Sequence, residues 1–167
     1  MPSSPHLRVS GQYAAEHPDA DPSATEVVIN ALVVGNLLSE RMDGVLREFG
    51  LTVGSFNLLT IVAGADEPLT PTEIAHRTLT KVTTATVTGL LDTCQRKGLL
   101  TRVPHPSDKR RVLVELTPAG RALLSDIGPS IAAAERRWAG SLGTRRRDEL
   151  LRGLGELRLA LEADGPD

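Results

Sequence analysis

Apolar residues recur at helical spacing between residues 25 and 48. Val28, Leu32, Leu38, Met42, Val45 and Leu46 keep a wide stripe on one side, which predicts a helix over 25–48. Residues 27–34 are apolar nearly all round, Asn30 excepted. A helix of that kind in a small protein is expected to bury more than one side, which points to a partner subunit. Thr52 opens a second helix that runs to about Ala63, with Leu51 and Phe56 spaced as a hydrophobic staple. Leu69-Thr70-Pro71-Thr72-Glu73-Ile74 carries a capping box with proline at the first helical position, and predicts a short helix ending near Thr78. Val87, Leu91 and Cys94 fall at i, i+4 and i+7, one buried stripe of a helix over 83–97 that Gly98 stops. Leu99–Val103 and Arg111–Leu116 read as two strands, joined by the turn chemistry of PHPSDK. Thr117-Pro118 starts a fifth helix to about Trp138, with a kink expected at Gly128-Pro129. From Thr144 a last helix carries Leu150, Leu154, Leu157 and Leu161, a spacing suited to packing on another helix.

Composition narrows what this helical pattern can do. The chain has 167 residues, enough for one domain with tails, and residues 1–23, with four prolines and four serines, read as a tail or arm. Aromatics are scarce: Trp138, Tyr13, Phe49 and Phe56 are all there are. Single-strand binders and RNA-recognition sheets stack bases on aromatic rings, so both classes are disfavoured. One cysteine, Cys94, excludes an internal disulfide framework and a cysteine-rich zinc module, and fits a reducing compartment. No apolar run reaches the roughly 18–20 residues of a membrane span, and the start MPSSPHLRVS is no secretory signal, so a cytoplasmic protein is expected. No nucleophile elbow or phosphate loop is present, so no enzyme activity, catalytic residue or cofactor is expected.

Charge changes the picture more. The formal net charge is −2, yet residues 1–69 hold 3 basic and 9 acidic residues (−6), residues 70–111 hold 8 and 3 (+5), and residues 112–167 hold 8 and 9 (−1). The basic segment coincides with a short helix, a turn, a second helix and a hairpin, the order of a winged helix-turn-helix. In that design the second helix enters the major groove of duplex DNA and the first braces it. The exposed face of helix 83–97 is built of small hydroxyls able to bond phosphates or base edges, and Gly89 permits close approach. A guanidinium on the thin hairpin tip fits a narrow minor groove. The candidate DNA contacts are Thr72 on the first helix, Lys81 in the turn, Thr83, Thr84, Thr86, Thr88 and Gly89 on the second, and His105, Ser107, Asp108, Lys109, Arg110 and Arg111 in the hairpin.

LTPTEIA, TVTGLLD, RKGLLTRV and SDKRRVLVELTPAG, with the flanking helical regions, resemble the MarR-type (multiple-antibiotic-resistance regulator) transcription factors over about residues 25–163. The most specific part is Asp108-x-Arg110 followed by Leu116-Thr117-x-x-Gly120. The resemblance implies a mainly α fold with a small β-wing and an organisation of flexible arm 1–24, dimerisation helix 25–50, DNA-binding domain 51–117, C-terminal dimerisation helices 118–163 and tail 164–167. It implies an obligate homodimer on a palindromic operator, usually as a repressor, with Arg110 in the minor groove and Asp108 orienting the wing. Small phenolic or otherwise aromatic, anionic effectors are implied for many members; the sequence names no effector site, and Asn30, Asn36, Arg41 and Asn57 are the polar candidates. The stretch from Arg77 to Thr86 is about two residues longer than this pattern, through Thr80-Lys81, which lengthens either the turn or the recognition helix.

Other residues have blander readings. Cys94 sits on the buried stripe and reads as core, with no thiol switch expected. His6, His17, His76 and His105 lack ligand spacing, so no metal site is expected. Arg145-Arg146-Arg147 oppose the dipole of their helix and read as solvated surface, or as contacts to partner carboxylates or flanking DNA. Two functional alternatives stay open: a protein-interaction module on a winged scaffold, and an operator-binding regulator that senses nothing.

Overall fold

The computed structural model describes residues 6–78, 83–108 and 110–165, apart from the side chains of Ala14 and Thr84. The chain divides into two compact units, Met1–Arg121 and Ala122–Asp167. The first contains α1 (Gly11–Glu16), α2 (Pro22–Arg47), α3 (Val53–Ala63), α4 (Pro71–Arg77), α5 (Thr84–Arg96), β1 (Leu100–Pro104) and β2 (Val112–Leu116). Helix α6 (Pro118–Ala139) begins in it and continues into the second, which also holds α7 (Thr144–Ala163). This is a mainly helical winged fold with one antiparallel hairpin.

Helix starts follow their caps. Thr52 accepts the Ser55 N–H, and Asp43 on α2 accepts the Val53 N–H at 2.9 Å, so two side chains close the start of α3. At α4 the capping box is complete: Glu73 Oε2 accepts the Thr70 N–H at 2.7 Å and the Thr70 hydroxyl accepts the Glu73 N–H. Helix α5 ends in a Schellman motif, with Leu99 N–H on Cys94 C=O, Gly98 N–H on Gln95 C=O, and Gly98 at φ +69, where a side chain would strain the backbone.

Helix α3 is the hub of the first unit and packs on α2, α4, α5 and β2. Leu58 and Leu59 of α3, Ile74 of α4, Val87, Leu91 and Cys94 of α5 and Val114 of β2 are fully buried there. Leu100 pairs with Leu116, Arg102 with Val114 and Pro104 with Val112 in the hairpin. The Val114 N–H also bonds Leu69 C=O at 2.8 Å, which ties the hairpin to the entry of α4.

Two features differ from the sequence expectation. The stretch 1–24, expected as a flexible arm, carries helix α1, capped by Ser10. It is also held along α2: Asn30 Oδ1 accepts the Leu7 N–H at 2.9 Å, Asn30 Nδ2 donates to Leu7 C=O at 3.0 Å, and Glu26 accepts the Val9 N–H. The Asn30 side chain, one of the polar effector candidates, thus holds the arm along α2. Helix α2 starts three residues early because Asp21 accepts the Ser23 and Ala24 N–H groups with Pro22 at the first position. The Ser23 hydroxyl, ahead of those two backbone hydrogen bonds, holds the Asp21 carboxyl below its ordinary pKa. Helix α6 carries Pro129 inside one helix that continues to Ala139, close to the expected end near Trp138.

Two helical faces are left bare. On α2, Val27, Val28, Leu32, Val34, Leu37 and Leu38 are exposed, and on α7 Leu150, Leu151, Leu154, Leu159 and Leu161 are exposed.

Candidate nucleic-acid interface

The buried stripe of α5 decides which face is offered outward. With Val87, Leu91 and Cys94 against the core, Thr86, Thr88 and Gly89 are exposed. A Cβ added at Gly89 would meet nothing within 4 Å, so this part of the helix is an open surface. Thr83 caps the helix: its hydroxyl accepts the Thr86 N–H at 3.2 Å and lies 2.9 Å from the Thr86 hydroxyl. Thr84 is the first residue of α5. The extra residues near Thr80-Lys81, like Lys109, lie outside the described residues. Thr72 is exposed in the first turn of α4.

The hairpin tip is organised by Asp108. Its Oδ1 accepts the Arg110 N–H at 3.0 Å and lies 3.4 Å from Arg110 Nε, while its carbonyl accepts the Arg111 N–H. The Asp108 carboxylate thereby closes a local turn around the tip. The Arg110 side chain is 92% exposed, so a cation stands out from the hairpin with its backbone fixed behind it. His105 Nδ1 faces the Ser107 N–H and hydroxyl at 3.3 and 3.2 Å, so these two side chains brace the same turn.

Arg111 points elsewhere. Its Nη2 is 3.7 Å from Glu73 Oε1, on the carboxylate whose other oxygen closes the α4 capping box. The Thr70 hydrogen bonds, backbone first, hold the Glu73 carboxyl below its ordinary pKa, with Arg111 adding to the same direction. Glu73 therefore keeps its cap at neutral pH and loses it only as the pH falls through its lowered native pKa.

Arg102, Asp92, Gln95 and Lys97 were absent from the sequence candidates. Arg102 Nη1 on β1 reaches Asp92 and Gln95 of α5, and Lys97 Nζ donates to the Gly50 carbonyl. Of the arginines in the α7 start, Arg145 pairs with Glu149 and Arg147 turns back to the α6 end, donating to the carbonyls of Leu142 at 2.8 Å and Ala139 at 3.1 Å. Arg147 is thus a cap on exposed carbonyls, which answers the apparent clash with its own helix dipole. The Cys94 thiol is buried, and burial pushes its pKa up, so it is held as a neutral thiol at physiological pH. Among the described residues no group of three or more His, Cys, Asp or Glu could hold a metal ion, and no helix is long and apolar enough to cross a membrane.

Comparison with known proteins agrees with this architecture. The model of the MarR family matches residues 49–111. The chain is 30% identical over 147 residues to the HTH-type transcriptional repressor YetL of Bacillus subtilis, covering 87% of each chain. Its fold matches that of S. aureus MepR in a DNA complex, with a TM-score of 0.70 and 23% identity over 77% of this chain and 93% of that one. It matches CouR of Rhodococcus jostii, bound to p-coumaroyl-CoA, with a TM-score of 0.70 and 22% identity over 83% of this chain and 95% of that one.

Proposed function

The chain belongs to the MarR family of DNA-binding winged-helix transcriptional regulators, which are not enzymes, and on that premise we propose that it is a homodimeric repressor of a palindromic operator, released by a small aromatic or anionic effector. The observation that carries the DNA reading is the wing tip, where Asp108 fixes the backbone of an exposed cation, Arg110. In this reading α5 of each subunit lies in the major groove, with the two helices about 34 Å apart, one DNA turn. Thr86, Thr88 and Gly89 face base edges, and Arg110 enters the flanking minor groove, where the potential is most negative. MepR, of like fold, has been solved with DNA, which supports the placement.

Arg110→Ala is expected to weaken operator binding about tenfold, and to lower the slope of log affinity against log salt by about 0.9. A gel-shift series across salt concentrations reads both, and unchanged affinity would remove the wing from the interface.

The dimer is supported by the bare faces of α2 and α7, which leave runs of leucine and valine side chains in water. Sedimentation at micromolar concentration is expected to give a dimer; a monomer there contradicts the reading. An effector acts by binding one arrangement of the paired recognition helices better than the other. The likeness to CouR, solved with an aromatic acyl thioester of coenzyme A, supports a ligand of aromatic and anionic character.

A further inference from the structure

Arg102 stands on β1, short of the wing tip, and is not among the candidate DNA contacts. Its Nη1 lies 2.7 Å from Asp92 Oδ1 and donates to Gln95 Oε1 at 2.8 Å. Asp92 and Gln95 are three residues apart on α5 and so share one helix face. The Arg102 side chain is 26% exposed, against 92% for Arg110. One guanidinium thus faces inward across the gap between the wing and the recognition helix, and the other faces outward.

The register adds a second hold at the same level. Arg102 is opposite Val114, whose N–H bonds the Leu69 carbonyl just before α4. At this one rung the hairpin is tied to α5 through Arg102 and to the entry of α4 through Val114. Beyond the rung lie Pro104, paired with Val112, then Arg111, 3.7 Å from Glu73 of α4, and the tip that carries Arg110. A change of angle at the rung is carried to the tip.

We propose that Arg102 is a positioning residue for DNA recognition: by bridging Asp92 and Gln95 it sets the angle between α5 and the wing, so that the helix and Arg110 reach their two grooves together. The inference rests on the DNA reading above. Two grooves of a duplex are separated by fixed geometry, and a wing free to swing must be ordered at the moment of binding. A planar guanidinium suits the task because it holds two acceptors in defined directions, which a lysine ammonium does not. Since the pair is partly exposed, its effect on folding stability is small and its effect on binding is the informative one.

The test is a set of operator titrations at one salt concentration on the full-length protein, with thermal unfolding measured alongside. Arg110→Ala is expected to weaken binding about tenfold and Arg102→Ala about fivefold. The double variant is expected to bind within about twofold of Arg110→Ala, because Arg102 acts by delivering Arg110. Replacing A·T by G·C pairs at the operator flanks should penalise the wild type and leave Arg102→Ala and Arg110→Ala alike nearly indifferent. Asp92→Asn, which keeps the helix surface and removes the charge, is expected to behave as Arg102→Ala does. Multiplying losses in the double variant, or an affinity loss matched only by a fall in melting temperature, overturns the inference, as does wild-type affinity in Arg102→Ala. If Arg110→Ala binds as the wild type does, the wing reading itself has failed, a result distinct from any of these.

Discussion

Gly120→Ala is expected to destabilise the protein by about 3 kcal/mol or more and to lower its melting temperature by roughly 10 °C. A Cβ built on Gly120 falls 2.0 Å from the Leu99 carbonyl oxygen and 3.1 Å from a Leu116 methyl. The Leu99 oxygen is backbone and cannot rotate away as a side chain does. It also accepts the Thr117 N–H at 3.1 Å, and the Thr117 hydroxyl donates to Gly98 C=O at 2.7 Å while accepting the Gly120 N–H at 3.0 Å. The start of α6 is therefore clasped to the turn between α5 and β1 by two hydrogen bonds, from the Thr117 N–H and hydroxyl, that hold only while the two backbones stay this close, and the same hydroxyl caps the helix by accepting the Gly120 N–H. One methyl group must open the clasp or shift the strand. Thermal unfolding followed by circular dichroism measures the outcome, and a melting temperature within about 2 °C of wild type would show that the junction gives way cheaply.

That junction was legible in the sequence as a pattern and illegible as a mechanism. Leu116-Thr117-x-x-Gly120 stood out, and Thr117-Pro118 marked a helix start, but no local rule says that a glycine three residues on touches a carbonyl twenty-one residues back. The same division runs through the molecule. Helix α5 was readable because Val87, Leu91 and Cys94 repeat at the helical period, and the α4 start because its cap, proline and glutamate are neighbours in sequence. The wing tip was readable because Asp108 acts on residues two and three positions away.

What escaped is long in sequence separation and polar in kind. The Asn30 amide reaches Leu7, 23 residues away, so a residue that looked like a pocket lining proved to hold an arm in place. Arg111 looked like one more wing cation until Glu73, on another helix, faced it. The Arg102 bridge to Asp92 and Gln95 escaped because Asp92 lies on the open face of α5, where a carboxylate reads as solvated. Periodicity records which side of a helix is apolar; it is silent on which polar side chain finds which partner. The net charge shows the same limit. The +5 segment contains Arg102 and Arg111, both of which meet carboxylates on other elements, while Arg110 lies 3.4 Å from its near neighbour Asp108 and stays 92% exposed, the outward cation at the described part of the wing.

The second glycine of consequence behaves in the opposite way. Gly89→Glu is expected to leave the fold intact and to weaken operator binding at least about 100-fold. Gly89 is exposed in the middle of α5, and an added Cβ meets nothing within 4 Å, so the side chain has room. Glycine in a helix interior costs about 0.5–1 kcal/mol relative to alanine, so the substitution should hold or raise the melting temperature. In the major groove, however, a glutamate beside Thr86 and Thr88 brings a negative charge towards base-edge acceptors and two phosphate walls, and like charges at such an interface cost several kcal/mol. Gly89→Ala separates shape from charge: it adds the methyl alone, gains the same helix stability, and should weaken binding only where the duplex comes close to the helix backbone. Anisotropy titration on a labelled operator, with unfolding curves for both variants, reads the two effects independently. A Gly89→Glu variant that melts no lower than wild type and still binds within about threefold would show that this face of α5 does not enter a groove, and the recognition surface would have to be sought elsewhere on the helix-turn-helix.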